Sequence, residues 1–321
     1  CDLALLECLS SAVNEILVEK VLECLLKLTQ FAVCRSVLWQ EERLKRLLST
    51  SRVDVCIVIQ HLAEEAKGRR ALKKAGAVHF LRPFLNTAFK EAAAALWNLT
   101  AEEDCALELC RSEGVVPLLA HAGSCEALGT LLQMSAQEEV IQQLYEQNAV
   151  SLGLEQLKEG GDLALYSAKL LNCMALHMDV FQNAMEVWHG AAYILAQQLR
   201  HAAHSAPVLS EICGCSWLLC SAAEEHCQSF VDGGGLWALC ILLAEEGAAE
   251  PVLGILTALC QQCSSRQEAF LEMDGLQLLL PFLSNSSLRI RHLAAKAVCA
   301  VLETEELRRR CLTEEVLDQV N

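Results

Sequence analysis

The chain has 321 residues, 53% of them hydrophobic and 5% aromatic, and a formal charge of −16. A field that negative disfavours nucleic acid and anionic membrane as partners and favours basic ones. No apolar run approaches the roughly 20 residues of a membrane-spanning helix, and a Leu- and Ala-rich chain with five prolines does not read as disordered.

In chain order, the first element is an apolar helix carrying Leu3, Leu5, Leu6 and Leu9, suited to packing on an upstream segment or a second copy. The chain starts at Cys1 rather than Met, as expected of a fragment of a longer protein. One pattern then recurs: an apolar helix end, a polar turn, about ten helical residues, a Gly or polar stop, and a further apolar helix. It runs from Gln60-His-Leu-Ala-Glu-Glu-Ala to Gly76, and from Trp97-Asn-Leu-Thr-Ala-Glu-Glu-Asp to Gly114. Later copies run from Asn172 to Gly190, from Cys220 to Gly235 and from Cys260 to Gly275, with degenerate stops at Glu41 and Asn148. Junctions near 41, 76, 114, 148, 190, 235 and 275 step by 35, 38, 34, 42, 45 and 40, and a further 40 lands on Glu315. Glycine suits such stops because it takes the left-handed conformation that turns a chain out of a helix. Pro83, Pro117 and Pro281 each fall in the first turns after a stop, where a missing N–H costs little. One unit of about 40 residues cannot bury its own apolar face, so neighbours must stack. The prediction is an all-α solenoid of about seven repeats, with residues 1–321 as a single repeat domain.

The run Phe89-Lys-Glu-Ala-Ala-Ala-Ala-Leu-Trp-Asn98-Leu-Thr, followed by Gly114-Val-Val-Pro-Leu-Leu, resembles the last helix of one armadillo repeat and the first of the next. Beta-catenin and importin-alpha carry similar runs; HEAT repeats have an overlapping period. The resemblance is specific over about 60–120 and loose elsewhere. It implies a right-handed superhelix whose third helices line a concave groove. In importin-alpha a ladder of Asn in that groove, helped by a Trp one turn earlier, holds extended peptide. Asn98 and Asn172 match the ladder, and the local period adds Gln60 and Gln133. A row of amides, each donor and acceptor at once, can hold a peptide backbone whatever its side chains. Ala94 and Ala168 stand where Trp would be, and Cys220 and a residue near Leu259 continue the row, which departs from an import-type groove.

Ala-Glu-Glu recurs at 63–65, 101–103 and 223–225, so Glu64, Glu65, Glu102, Glu103, Glu224 and Glu225 form a candidate acidic rim. The competing reading is a solvated turn. Residues 101–280 carry 24 Asp/Glu against 5 Lys/Arg, whereas 1–100 carry 14 Lys/Arg against 11 Asp/Glu. Lys67, Arg69, Arg70, Lys73 and Lys74 form a basic cluster that reads as a solvated helix face near a C-terminus.

Nucleotide-binding loops, zinc-protease and serine-hydrolase signatures, and EF-hand loops are absent from the sequence. The 18 cysteines sit mostly among Leu, Ala and Val and read as small core hydrophobes in a reducing compartment, cytosol or nucleus. Cys260-Gln-Gln-Cys263 with Cys213-Gly-Cys215 has thiolate-metal spacing, but 18 cysteines generate such spacings by accident. The expectation is a non-enzymatic scaffold or adaptor that takes a basic or amphipathic protein segment in its groove, with no cofactor, metal, nucleic acid or membrane. The alternatives are a regulatory or autoinhibitory domain of a larger enzyme such as a kinase, and an importin-like cargo receptor.

Overall fold

The computed structural model describes residues 15–180, 184–200, 204–244, 248–261 and 263–311. The leucines at 3–9 and the closing copy at Glu315 lie outside these. Among the described residues there is no strand. Two compact units divide the chain, Cys1–Ala149 and Val150–Asn321.

In the first unit α1 (Glu15–Thr29) precedes a three-helix group, α2 (Ala32–Leu38), α3 (Glu41–Leu48) and α4 (Val53–Ala63). The next group is α5 (Ala66–Ala75), α6 (Ala77–Leu81, continued by a 3-10 turn, Arg82–Asn86) and α7 (Phe89–Leu99). Then come α8 (Glu103–Arg111), α9 (Val115–Ala120), α10 (Cys125–Met134) and α11 (Glu138–Glu146). In the second unit α12 (Ala149–Gln156) and a 3-10 turn (Leu157–Glu159) lead to α13 (Gly161–Ala175). The order continues with α14 (Ala184–Val187), α15 (Ala191–Leu199), α16 (Ala206–Ala222), α17 (Glu224–Asp232), α18 (Gly235–Ala244) and α19 (Ala249–Cys260). It closes with α20 (Ser264–Glu272), α21 (Gly275–Leu279, with a 3-10 turn to Ser284), α22 (Leu288–Val301) and α23 (Glu305–Cys311).

Each third helix packs on the next: α1 on α4, α4 on α7 and α7 on α10 in the first unit, α13 on α16, α16 on α19 and α19 on α22 in the second. The sequence permits this close approach by keeping facing positions small. Ala92, Ala93 and Ala95 of α7 are fully buried, and Gly129 of α10 and Gly254 of α19 lie directly under Trp97 and Trp217. A Cβ on either glycine would meet the indole at 2.5 Å or 2.4 Å, closer than any real contact.

The turn from first to second helix repeats one backbone device. Gly76, Glu113, Asn148, Gly190, Gly234 and Asp274 all have positive φ, between 56° and 82°. Gly114, Gly235 and Gly275, read from the sequence as the helix stops, are not the left-handed residues. Each is one position later, and its lack of a side chain makes room. A Cβ there would sit 2.3 Å from Leu109, 2.2 Å from Phe230 or 2.4 Å from Phe270. The rule is therefore a left-handed residue followed by a small one, and the second position is where glycine is fixed by packing.

Glu113 is an ordinary side chain held at φ 61°, which costs about 1–2 kcal/mol against glycine's freedom. Its side chain makes one exposed ion pair among the described residues, to Arg82 at 3.4 Å, worth about 0–1 kcal/mol. Glu113→Gly is therefore expected to raise the stability of the first unit by about 1 kcal/mol, after its larger unfolded-state entropy is subtracted. A denaturation midpoint that falls would contradict this account of the turn.

Candidate partner-binding face

The amides predicted as a ladder lie on third helices: Gln60 on α4, Asn98 on α7 and Gln133 on α10 in the first unit, Asn172 on α13 in the second. Asn98 Nδ2 donates to the Gln60 backbone carbonyl at 3.2 Å, tying α7 to α4. The side-chain amides of Gln60 and Gln133 have no partner among the described residues, and Gln133 is exposed. Asn172 Nδ2 donates to Glu211 Oε2 of α16 at 2.8 Å, above Gly214, whose missing side chain leaves that space. Both asparagines thus commit an N–H to the neighbouring repeat, which fixes the amide plane. The carbonyl oxygen and second N–H stay available.

Equating the Trp97–Gly129, Asn172–Gly214 and Trp217–Gly254 pairs puts Asn172 level with Trp97 and Trp217, Cys173 and Leu218 level with Asn98, and Ala258 level with Gln133. The Asn98 row therefore runs through Gln133, Cys173, Leu218 and Ala258 rather than through Asn172, Cys220 and Leu259, and Asn172 stands one position earlier, where Trp97 and Trp217 stand in their repeats. Leu259 is fully buried, whereas Leu218 and Ala258 line clefts. Counting by a fixed period missed this because the late repeats run long.

In the second unit three clefts join along α13, α16, α19 and α22. The first, about 620 Å³, is bounded by Asn172, Glu211, Leu218, Glu250 and Ile290. Trp217 forms the wall it shares with the second, about 420 Å³. That cleft shares Thr257, Gln261 and Lys296 with the third, about 510 Å³, which reaches His292 and Glu303. The result is one trough with an indole between its first and second clefts, Glu211 and Glu250 at the first end, Glu224 in the middle, and Lys296 and Glu303 toward the other end. Glu250 is paired with Arg289 at 2.6 Å.

The acidic rim is only partly free. Glu64 accepts from Arg35 at 2.5 Å, with Glu65 4.0 Å from the same guanidinium. Glu102 pairs with Arg69 at 3.4 Å and Glu224 with Arg266. These arginines also donate to the last carbonyls of the preceding third helix: Arg35 to Thr29 O (2.6 Å), Arg69 to Ala63 O (3.2 Å) and Arg266 to Leu259 O (3.2 Å). Arg35 and Arg266 are themselves buried. Each one satisfies carbonyls that a helix end leaves open and ties two repeats together. The sequence reading missed this role, although an Arg at the third or fourth position of a first helix is a readable sign. Glu103 and Glu225 are exposed with no ion pair among the described residues. In the basic cluster, Arg69 is spent as above and Lys73 is bonded to Asp104. Lys67, Arg70 and Lys74 share one exposed face.

Cys213, Cys215 and Cys260 are buried. Desolvation pushes the Cys213 and Cys260 thiols up to about 12. Among the described residues no three His, Cys, Asp or Glu side chains converge as a metal site would need.

No family model matches the sequence, nor does any curated protein. Solved structures do. An engineered protein superposes with TM-score 0.82 at 17% identity, over 100% of this chain and 82% of its own. A chain from a study of a phosphorylation switch in the cadherin–beta-catenin interaction gives 0.81 at 13% identity, over 95% of this chain. The present chain spans 65% of that one. A designed armadillo repeat protein in complex with the peptide (KR)4 gives 0.58 at 20% identity, over 69% of this chain and 98% of its own. The fold is an armadillo-repeat solenoid. The three-helix groups that follow this fold are residues 32–63, 66–99 and 103–134 in the first unit and 184–222, 224–260 and 264–301 in the second, among those described.

Proposed function

We propose that this armadillo solenoid is a non-enzymatic scaffold and that the trough of its second unit holds a basic or amphipathic segment of a partner protein. The joined trough carries the reading. Trp217, Leu218 and Ile290 offer apolar contact, Glu211 offers charge, and Asn172 offers an oriented amide for the segment's backbone. The designed armadillo protein with a similar fold is in complex with alternating Lys and Arg, which is the charge this trough would favour. A reducing compartment, cytosol or nucleus, belongs to the same proposal, since buried free thiols run through the core. An import-type receptor is the weaker reading, because small residues stand where a Trp array would be.

The test is a titration of fluorescein-labelled (KR)4 against the whole chain. Binding is expected at low salt, weakening steadily as ionic strength screens the carboxylates. A glutamate-only peptide should fail to bind. Equal binding of both peptides, or (KR)4 binding indifferent to salt, would sink the charge-selection reading.

A further inference from the structure

The wall of the middle cleft holds a thiol pair that peptide binding does not use. Cys220 lies in the last turn of α16 and Cys227 in the first turn of α17, and the Cys227 thiol donates to the Cys220 carbonyl at 3.1 Å. Their exposures are 5% and 2%, yet both line the cleft of about 420 Å³. The Cys220 side chain beside it holds the Cys227 thiol below the usual range, while Cys227 and burial lift Cys220 above it. Burial and the Glu224 carboxylate oppose that lowering, and the positive charge of the nearby Arg266 guanidinium adds to it.

Arg266 supplies a second and independent sign. It is 4% exposed, its terminal nitrogens are engaged with Glu224 and the Leu259 carbonyl, and its Nε is buried with no acceptor. A buried charged donor left unpaired is costly. An anionic sulfur, or an oxygen attached to it, would satisfy that donor.

We propose that Cys227 is a peroxide-reactive thiol with Cys220 as its resolving partner. The Cys227 sulfur attacks one oxygen of hydrogen peroxide and the O–O bond breaks. The other oxygen leaves as hydroxide and takes up the thiol proton as water, and Cys227 becomes a sulfenic acid whose oxygen accepts from Arg266 Nε. The Cys220 sulfur, giving up its proton, then attacks the Cys227 sulfur and displaces that oxygen as a second water. One disulfide forms, and the two electrons lost by the thiols are those gained by the peroxide.

The experiment treats the whole chain with one equivalent of hydrogen peroxide, alkylates the remaining thiols and maps them by mass spectrometry. Glutamyl cleavage after Glu224 and Glu225 separates the two cysteines. The Cys220–Cys227 link is expected first, about tenfold faster than oxidation of the exposed Cys24 and Cys299, and dithiothreitol should reverse it. In Cys220→Ser, dimedone should trap a sulfenic acid at Cys227. Oxidation of Cys24 and Cys299 while Cys220 and Cys227 remain alkylatable would overturn the proposal. So would a different first disulfide, or a Cys220→Ser chain that carries no dimedone at Cys227.

Discussion

Phe230→Ala is expected to cost about 3–5 kcal/mol, the range for truncating a fully buried aromatic. The ring is fully buried near the end of α17 and lies against Gly235, whose absent Cβ would have been 2.2 Å away. Removing the ring leaves a void against Gly235, which has no side chain to fill it. Phe270 against Gly275 repeats the arrangement and should behave alike. In a stack of repeats each unit touches only its neighbours, so the loss should be local before it is global. Hydrogen exchange is the right measurement: α17 and α18 should lose protection first, while α4 and α7 keep theirs. A loss under about 1 kcal/mol, or one spread evenly over both units, would mean the ring is not the wedge between first and second helices.

The repeats were legible in the sequence because each carries local signs that do not depend on distant contacts. An apolar stripe, a polar turn and a stop recur about every 40 residues, and the third helices appear where the Trp97-Asn98 run placed them. The stops were displaced by one residue at 114, 235 and 275. A glycine looks the same in sequence whether a left-handed turn needs it or a neighbouring ring does. Only the approach of Leu109, Phe230 and Phe270 separates the two uses. The acidic rim was harder to read for a related reason. Glu64 and Glu102 look like free surface charge until Arg35 and Arg69, 29 and 33 residues earlier, are found beside them. The pairing of Cys220 with Cys227, and the unpaired Nε of Arg266 near them, comes from the corner between two helices and from a residue in the next repeat.

Trp217→Ala is expected to lower affinity for a basic peptide by about thirtyfold or more, the equivalent of about 2 kcal/mol for a central aromatic anchor. Trp217 forms the wall shared by two clefts, so its loss removes contact on both sides at once. It also packs on Gly254, so truncation weakens the α16–α19 contact, and a fall in affinity alone would not identify a ligand contact. Trp97→Ala is the control, because Trp97 packs on Gly129 in the same way in the other unit. Hydrogen exchange on peptide addition locates the effect. In the wild-type chain α16, α19 and α22 should gain protection, and Trp217→Ala should abolish that gain while Trp97→Ala leaves it in place. Asn172→Ala tests the backbone contact separately, at about 1 kcal/mol for one hydrogen bond. If both Trp variants weaken protection equally, the indoles act through stability. If the peptide protects other helices, the partner lies on another face and the trough is empty of it.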